Sequence, residues 1–377
     1  MNFEPSEEQR ILLKSARDFL KKECPKSLVR ELAQTDDGHS PGLWRKMAGL
    51  GWAGLMLPEA YGGSGWSFLD LILLVEEMGY HACPGPFFSS AILGASIILD
   101  AADEDRKRVL LPLLASGEKI FTLALSEPGG GFNAPPRSVT AVRDGGEYVI
   151  DGVKLFVPDA QAADWLVCVA RTGADPGAEE GVTLFLVESD RTGVTRTPLK
   201  TISWDQQSEV AFDRVRVPEA HAVGPIDRGW PVVRGVLDRA AVARGAEMIG
   251  CMQAAYDMAL DYCKERTQFG RPIGAYQAVQ HHLANMWLDT FSSRNLVYQA
   301  AWKMSEGLPA EADAAMVKTR TGELARKTTK TAHQLFGAIG FTMEHDLHIY
   351  YRRVLSADMA FGNSDHHRER VAQALGL

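Results

Sequence analysis

The chain has 377 residues, a formal net charge of −8 and a pI near 5.7. It is long for one core, so two or three structural units are expected. The acidic balance leaves no basic field for wrapping a polynucleotide, and no apolar run is long enough to span a bilayer. Cys24, Cys83, Cys168, Cys251 and Cys263 are odd in number and show no CxxC spacing, which argues against a disulfide framework or a structural zinc and for a reducing compartment. The acidic N-terminus lacks the basic start and apolar core of a secretory signal, so a cytoplasmic location is expected.

Ser6, followed three residues later by Gln9, reads as a capping box opening a helix in which Ile11, Leu12, Ala16 and Leu20 recur at helical spacing. A polar gap follows, then a short helix from Leu43 and a glycine-rich loop over 57–65. Further helical periods cover 69–79, 90–99 and 104–114, so residues 1–120 are expected to form a helical domain. From Phe121 the period changes. Short β-type runs at 120–125, 148–150, 165–170, 182–187 and 208–212 alternate with turn signals such as Gly145-Gly146, predicting a compact β-barrel or sandwich domain over 121–222.

Gly229-Trp-Pro opens a long helix to about Arg266, with Met248, Met252, Ala255, Ala259 and Tyr262 in a four-three spacing. Helices at 276–304, 310–336, 345–359 and 364–375 follow, and antiparallel packing predicts a four-helix bundle over 223–377. The order α, β, α makes the chain α+β.

Several motifs punctuate these elements: Gly51-Trp…Pro58-Glu-Ala-Tyr-Gly-Gly-Ser-Gly, Leu125-Ser-Glu-Pro-Gly-Gly-Gly, Tyr148-Val-Ile-Asp-Gly, Phe212-Asp-Arg-Val-Arg-Val-Pro, Glu265-Arg-Thr-Gln-Phe-Gly and Gln334-Leu-Phe-Gly-Ala-Ile-Gly. Glycines 129–131 let backbone N–H groups approach a pyrophosphate, and no GxGxxG runs from a strand into a helix. Arg266 offers a forked donor for phosphate, Phe269 an aromatic face and Gly270 a turn.

In this order, over essentially the whole chain, the motifs resemble those of the acyl-CoA dehydrogenases. The resemblance implies FAD as cofactor, an acyl-CoA substrate dehydrogenated between its α and β carbons, and an electron-transfer flavoprotein as electron acceptor. It also implies cofactor contacts from Ser126, Gly131, Phe156, Arg266, Phe269, Gln334, Gly337 and Gly340, with the ERxxFG segment reaching the FAD of a neighbouring chain.

The likeness breaks where the chemistry sits. The family base, a glutamate near the C-terminus, falls on Phe361, and the alternative position on the long helix falls on Ala240, followed by Ala241. Neither can accept a proton. Phe132-Asn133 replaces the Ser-Asp of the pyrophosphate loop, and Phe156-Val157-Pro158 replaces Trp-Ile-Thr beside the flavin.

The chain therefore resembles the non-catalytic subunit of a bacterial heterotetrameric acyl-CoA dehydrogenase working with a homologous partner, of the kind used in steroid degradation. The other readings are a homo-oligomer with altered or non-redox chemistry, and a structural flavin-binding homologue. Ala240, Ala241 and Gly245 give a small-residue helix wall that could admit a bulky ring acyl group. Asp238 reads as a cap or salt bridge, Glu247 as too far along the helix to serve one thioester, and Asp358 and Asp365 as solvated. His281-His282 and His366-His367 lack an i, i+4 partner and read as surface or interface residues, so no metal site is expected. Trp44, Trp52 and Trp66 read as core.

Overall fold

The computed structural model describes residues 4–377. The first helices are α1 (Glu7–Glu23), α2 (Lys26–Leu32), α3 (Pro41–Gly49), α4 (Phe68–His81), α5 (Ala95–Ala101) and α6 (Glu104–Ala115). Eight strands follow: β1 (Phe121–Ala124), β2 (Thr140–Asp144), β3 (Glu147–Pro158), β4 (Trp165–Arg171), β5 (Val182–Glu188), β6 (Val194–Leu199), β7 (Gln207–Pro218) and β8 (Ala222–Val223). The chain continues through α7 (Trp230–Glu265), the two-residue strands β9 (Thr267–Gln268) and β10 (Arg271–Pro272), α8 (Gln277–Ser305), α9 (Glu311–Phe336), α10 (Leu347–Met359) and α11 (Ser364–Ala374). This is the α+β order that the hydrophobic periods predict. Ser6 accepts from the Gln9 N–H while the Gln9 side chain returns to the Ser6 N–H, so the capping box forms. No helix among the described residues is long and apolar enough to cross a membrane.

Two compact units share the chain. One gathers Met1–Arg30, Phe68–Cys83 and Ala241–Leu377, and the other Glu31–Ser67 and Pro84–Ala240. In the helical unit α4 crosses α7 at backbone contact. A Cβ on Gly79 would lie 2.3 Å from the Glu247 carbonyl oxygen, and one on Gly250 would lie 2.1 Å from that of Glu76. Glycine is required on both helices because any side chain would force them apart. Gly245 likewise admits Val317 and Val297, so its small size serves helix packing. Towards the end of α7, Ala255, Ala259 and Cys263 close a core with Leu283 and Met286 of α8, Ala332 and Phe336 of α9, and Leu347 of α10.

The other unit is built on a sheet of order β6-β7-β3-β2-β4-β5-β8, with β1 parallel to β4. β3 and β7 are longer than the expected apolar runs because register shifts at Ile150/Gly152 and Lys154/Val157 let the pair continue past each irregularity. β6 has no apolar alternation to announce it; its Thr, Arg and Pro residues are held by pairing with β7. The helix expected over 90–99 begins as a π-helical stretch over Phe88–Gly94, and a Cβ on Gly94 would lie 2.4 Å from that of Phe121. Trp44 and Trp52 are buried, and Trp44 donates to the Gly117 carbonyl at 2.8 Å.

The α4–α7 crossing yields a direct test. Gly250→Ala is expected to lower the unfolding free energy by about 3 kcal/mol, measured by denaturant melts. Gly49→Ala, where a Cβ meets nothing within 4 Å, serves as the control that should not destabilise.

Candidate functional site

In the sheet-bearing unit the glycine loop is organised by one carboxylate. Glu127 accepts the backbone N–H groups of Arg137 and Ser138 at 2.8 Å each and of Val139 at 3.2 Å, and the Ser138 hydroxyl at 2.9 Å. It pairs at 2.8 Å with Lys154 of β3, which is fully buried and also donates to the Leu125 carbonyl at 2.9 Å. Burial alone would raise the Glu127 pKa, but the Lys154 charge and these donors hold it at about 2. The carboxylate thus pulls 137–139 back against 125–127, and Gly129, Gly130 and Gly131 form the exposed rim between. A Cβ on Gly130 would press the Glu127 carbonyl at 3.1 Å.

Ser126 and Gly131 line the same opening. The bulge in β3 lets the Leu155 N–H donate to the Ser126 carbonyl at 2.8 Å, and places Phe156 beside this rim with φ 55 and its ring 61% exposed. Glu127 and Lys154 were not among the sequence candidates. An acid directly before the glycines and a lysine inside a strand were visible, but their pairing across 27 residues was not.

In the helical unit the Glu265-Arg-Thr-Gln-Phe-Gly segment folds into a two-strand hairpin, β9 with β10, tipped by Phe269 and Gly270. Their φ values, 54 and 83, are those of a type I′ turn. The Tyr276 hydroxyl donates to the carbonyls of Gln268 and Phe269 at 3.1 and 3.2 Å, and Arg271 stacks on the Tyr276 ring at 4.1 Å. Phe269 is left 93% exposed.

Tyr262, at the end of α7, stacks at 4.4 Å on Phe336, at the end of α9, so the hairpin and the 334–340 turn stand at the same end of the unit. Gln334 and Gly337 are exposed there, and Gly340 is buried against Phe336. Among the described residues the side chains of Arg266, Phe269 and Gln334 are not engaged in any hydrogen bond, ion pair or ring contact. An exposed arginine, aromatic ring and amide, all unspent, fit the phosphate and adenine of a dinucleotide such as FAD, and the open glycine rim at 129–131 fits a pyrophosphate.

The second feature of the helical unit is the turn after α10. Phe361 sits at φ 56, and its carbonyl is hydrogen-bonded by His367 Nε2 at 2.8 Å. Lys318 of α9, fully buried, donates to the carbonyls of Ala357, Asp358 and Ala360 at 2.6, 2.9 and 2.9 Å, closing the last turn of α10. Burial pushes this amine down to about 7 against the pull of Asp358.

Two expectations are corrected here. His367 is buried rather than on the surface, and burial holds it down at about 3. Asp358 is 1% exposed rather than solvated, bonded to Ser364 at 2.9 Å and to Arg326 at 3.0 Å. Asp365 is exposed, paired with Arg368.

Glu247 is buried between Arg244 and Arg353, each at 2.5 Å. Burial would raise its pKa, but the two guanidiniums hold it at about 2. Arg244 lies over the Phe361 ring at 5.9 Å. Ala240 and Ala241 are fully buried. The turn and its surroundings therefore present an aromatic ring and a bound cation, and the carboxylates nearest to them are committed to ion pairs. Among the described residues no group of three or more His, Cys, Asp or Glu is placed to hold a metal.

Three family models match in succession: "Acyl-CoA dehydrogenase, N-terminal domain" over residues 6–118, "middle domain" over 122–215 and "C-terminal domain" over 227–376. The chain is 32% identical over 382 residues to the probable acyl-CoA dehydrogenase YngJ of Bacillus subtilis, covering 100% of both. Among solved structures, the Tcur3481-Tcur3483 steroid ACAD has a TM-score of 0.88 at 30% identity, covering 98% of each chain. The ChsE4-ChsE5 complex of Mycobacterium tuberculosis has a TM-score of 0.90 at 25% identity, covering 100% of this chain and 99% of that one.

Glu127 gives a pH signature. Its folded pKa lies below the ordinary glutamate value, so its contribution is fully present above that value and is lost as pH falls from about 5 towards 2. Glu127→Gln is expected to cost about 3 kcal/mol at neutral pH, and the gap to the parent should narrow in denaturant melts run at successively lower pH. Lys318→Met leaves three carbonyls without their donor, those of Ala357 and Asp358 in buried bonds, with an expected loss of about 3 kcal/mol in the same melts.

Proposed function

With the chain a member of the acyl-CoA dehydrogenase family, whose cofactor is FAD, we propose that it is the subunit of a heteromeric dehydrogenase that lacks its own base and lends Arg266, Phe269, Gln334 and Gly337 to flavin shared with a homologous partner. The observation that carries this reading is the turn at Phe361. A base must be a carboxylate free to take a proton near neutral pH. Here the turn carries a phenyl ring under Arg244, while Glu247 and Asp358 are bound to arginines. The similarity to the ChsE4-ChsE5 complex supports a paired assembly, and that to the steroid ACAD supports a bulky, ring-type acyl-CoA substrate.

Bound FAD would supply a hydride acceptor for the β-carbon of the thioester, with an electron-transfer flavoprotein to take the electrons onward. This chain's part is to bind and orient. Arg266 supplies a forked donor to phosphate, Phe269 covers the adenine face, and Gln334 offers an amide beside them. On the sheet side, the N–H groups of Gly129 to Gly131 face a pyrophosphate on a rim that Glu127 and Lys154 hold in shape. The α-proton goes to a carboxylate of the partner.

Expression alone and with a homologue carrying the missing glutamate tests the reading. The lone chain is expected to hold little flavin and to show no bleaching of flavin absorbance when acyl-CoA is added, whereas the complex should hold flavin and bleach. Stoichiometric FAD with full turnover in the lone chain would overturn it. In the complex, Arg266→Ala should weaken FAD binding by roughly tenfold or more through loss of a charge-assisted phosphate contact, read by flavin release on dilution.

A further inference from the structure

The opening at the glycine loop carries a charge that the flavin contacts assigned above leave unused. The charged side chains on its lining are Glu127 and Arg137. The Glu127 charge is met by Lys154 at 2.8 Å and by the donors of 137–139, so the guanidinium of Arg137 is left as the net positive group of the opening. Its backbone is fastened on both sides. The Arg137 N–H donates to Glu127 at 2.8 Å, and the preceding Pro136 carbonyl accepts from the buried Arg171 at 3.0 Å. Arg171 donates onward to the carbonyls of Ala178 and Glu180, which draws the 177–180 loop in beside Arg137. A Cβ on Gly177 would lie 3.5 Å from both Cγ and Nε of Arg137. The stem is thus set against a fastened loop while the charged end is exposed. Among the described residues the Arg137 guanidinium makes no hydrogen bond, ion pair or ring contact, and neither does the Ser126 hydroxyl or the Gly131 N–H on the same lining.

We propose that Arg137 is a phosphate ligand of this chain, its guanidinium binding the pyrophosphate of an adenosine nucleotide at the 129–131 rim in place of the serine hydroxyl that Phe132 removes. A hydroxyl gives one neutral donor, whereas a guanidinium gives a planar fork and a full charge, so the exchange more than replaces what the loop lost. The stem beside Gly177 lowers the cost of ordering a long side chain on binding. The Ser126 hydroxyl and the Gly131 N–H complete the donor set, and the carboxylate nearby is already neutralised by Lys154. Two molecules of the reading above carry an adenosine pyrophosphate, FAD and the CoA thioester. The inference rests on that reading for their identity and on the opening itself for the phosphate.

The full chain is titrated with FAD, followed by flavin fluorescence, and with CoA, followed by calorimetry. Riboflavin and pantetheine, which lack the pyrophosphate, are run beside them. The parent should bind at least one nucleotide more tightly than its phosphate-free counterpart, and that binding should weaken as salt rises. Arg137→Gln should weaken it by roughly tenfold or more through loss of a charge-assisted contact, with a flatter salt dependence and no change for the phosphate-free ligand, and Arg137→Lys should recover part of the loss. A loss confined to FAD assigns the arginine to the flavin pyrophosphate, and one confined to CoA assigns it to that of the thioester. Equal nucleotide affinities for parent and Arg137→Gln, or no nucleotide binding by the parent, would overturn the proposal. So would a loss accompanied by a lower melting temperature or shared by riboflavin and pantetheine, since the arginine would then serve only to pack the 177–180 loop. Turnover by the lone chain would sink the subunit reading and leave this result standing; an Arg137→Gln variant that binds like the parent would do the reverse.

Discussion

The helical unit is organised around Glu247. Its backbone lies against Gly79, where α4 and α7 leave no room for a side chain, and its carboxylate is held by Arg244 from its own helix and Arg353 from α10. Three helices are therefore registered at one residue. A buried carboxylate is costly unless fully paired, and two guanidiniums at hydrogen-bond distance offset that cost. Each arginine carries the order outward: Arg353 to the Cys83 carbonyl, and Arg244 to the ring of Phe361. With Lys318 and His367 on its backbone, the turn after α10 is fixed at its carbonyls and at its side chain.

The elements were legible where one strong local signal sets them. The capping box at Ser6, the long α7 and the change of period at Phe121 all follow from spacing along the chain. β6 was not, because its residues owe their conformation to β7 rather than to an apolar alternation. The π-helical stretch at 88–94 was hidden for a related reason: it is shaped by the approach of Phe121 to Gly94. The grouping of α4 with the C-terminal helices also escaped a linear reading, since the glycines that permit it, 79 and 250, are far apart in the chain.

The candidate site divides in the same way. The family resemblance of the motifs pointed to Ser126, Gly131, Arg266, Phe269 and Gln334. The groups that hold them in place, Glu127, Lys154 and Tyr276, were not singled out, because a buried ion pair is defined by its partner and a sequence does not announce partners. Asp358 and His367 show the converse error. Polar residues near a chain end read as surface, yet a lysine on α9 and the carbonyls of one turn create a polar interior that takes them in.

Phe269 bears on how the chain behaves before it meets anything else. An aromatic ring 93% exposed at the tip of a tight hairpin, on a residue with φ 54, is unfavourable twice over, in hydration and in backbone conformation. The turn chemistry of Gly270 and the Tyr276 hydroxyl hold it there all the same. A surface that covers the ring recovers the hydration part without first having to order the loop. The hairpin is thus preorganised for capture, and the gain on association shows as slower dissociation rather than as a folding step coupled to binding.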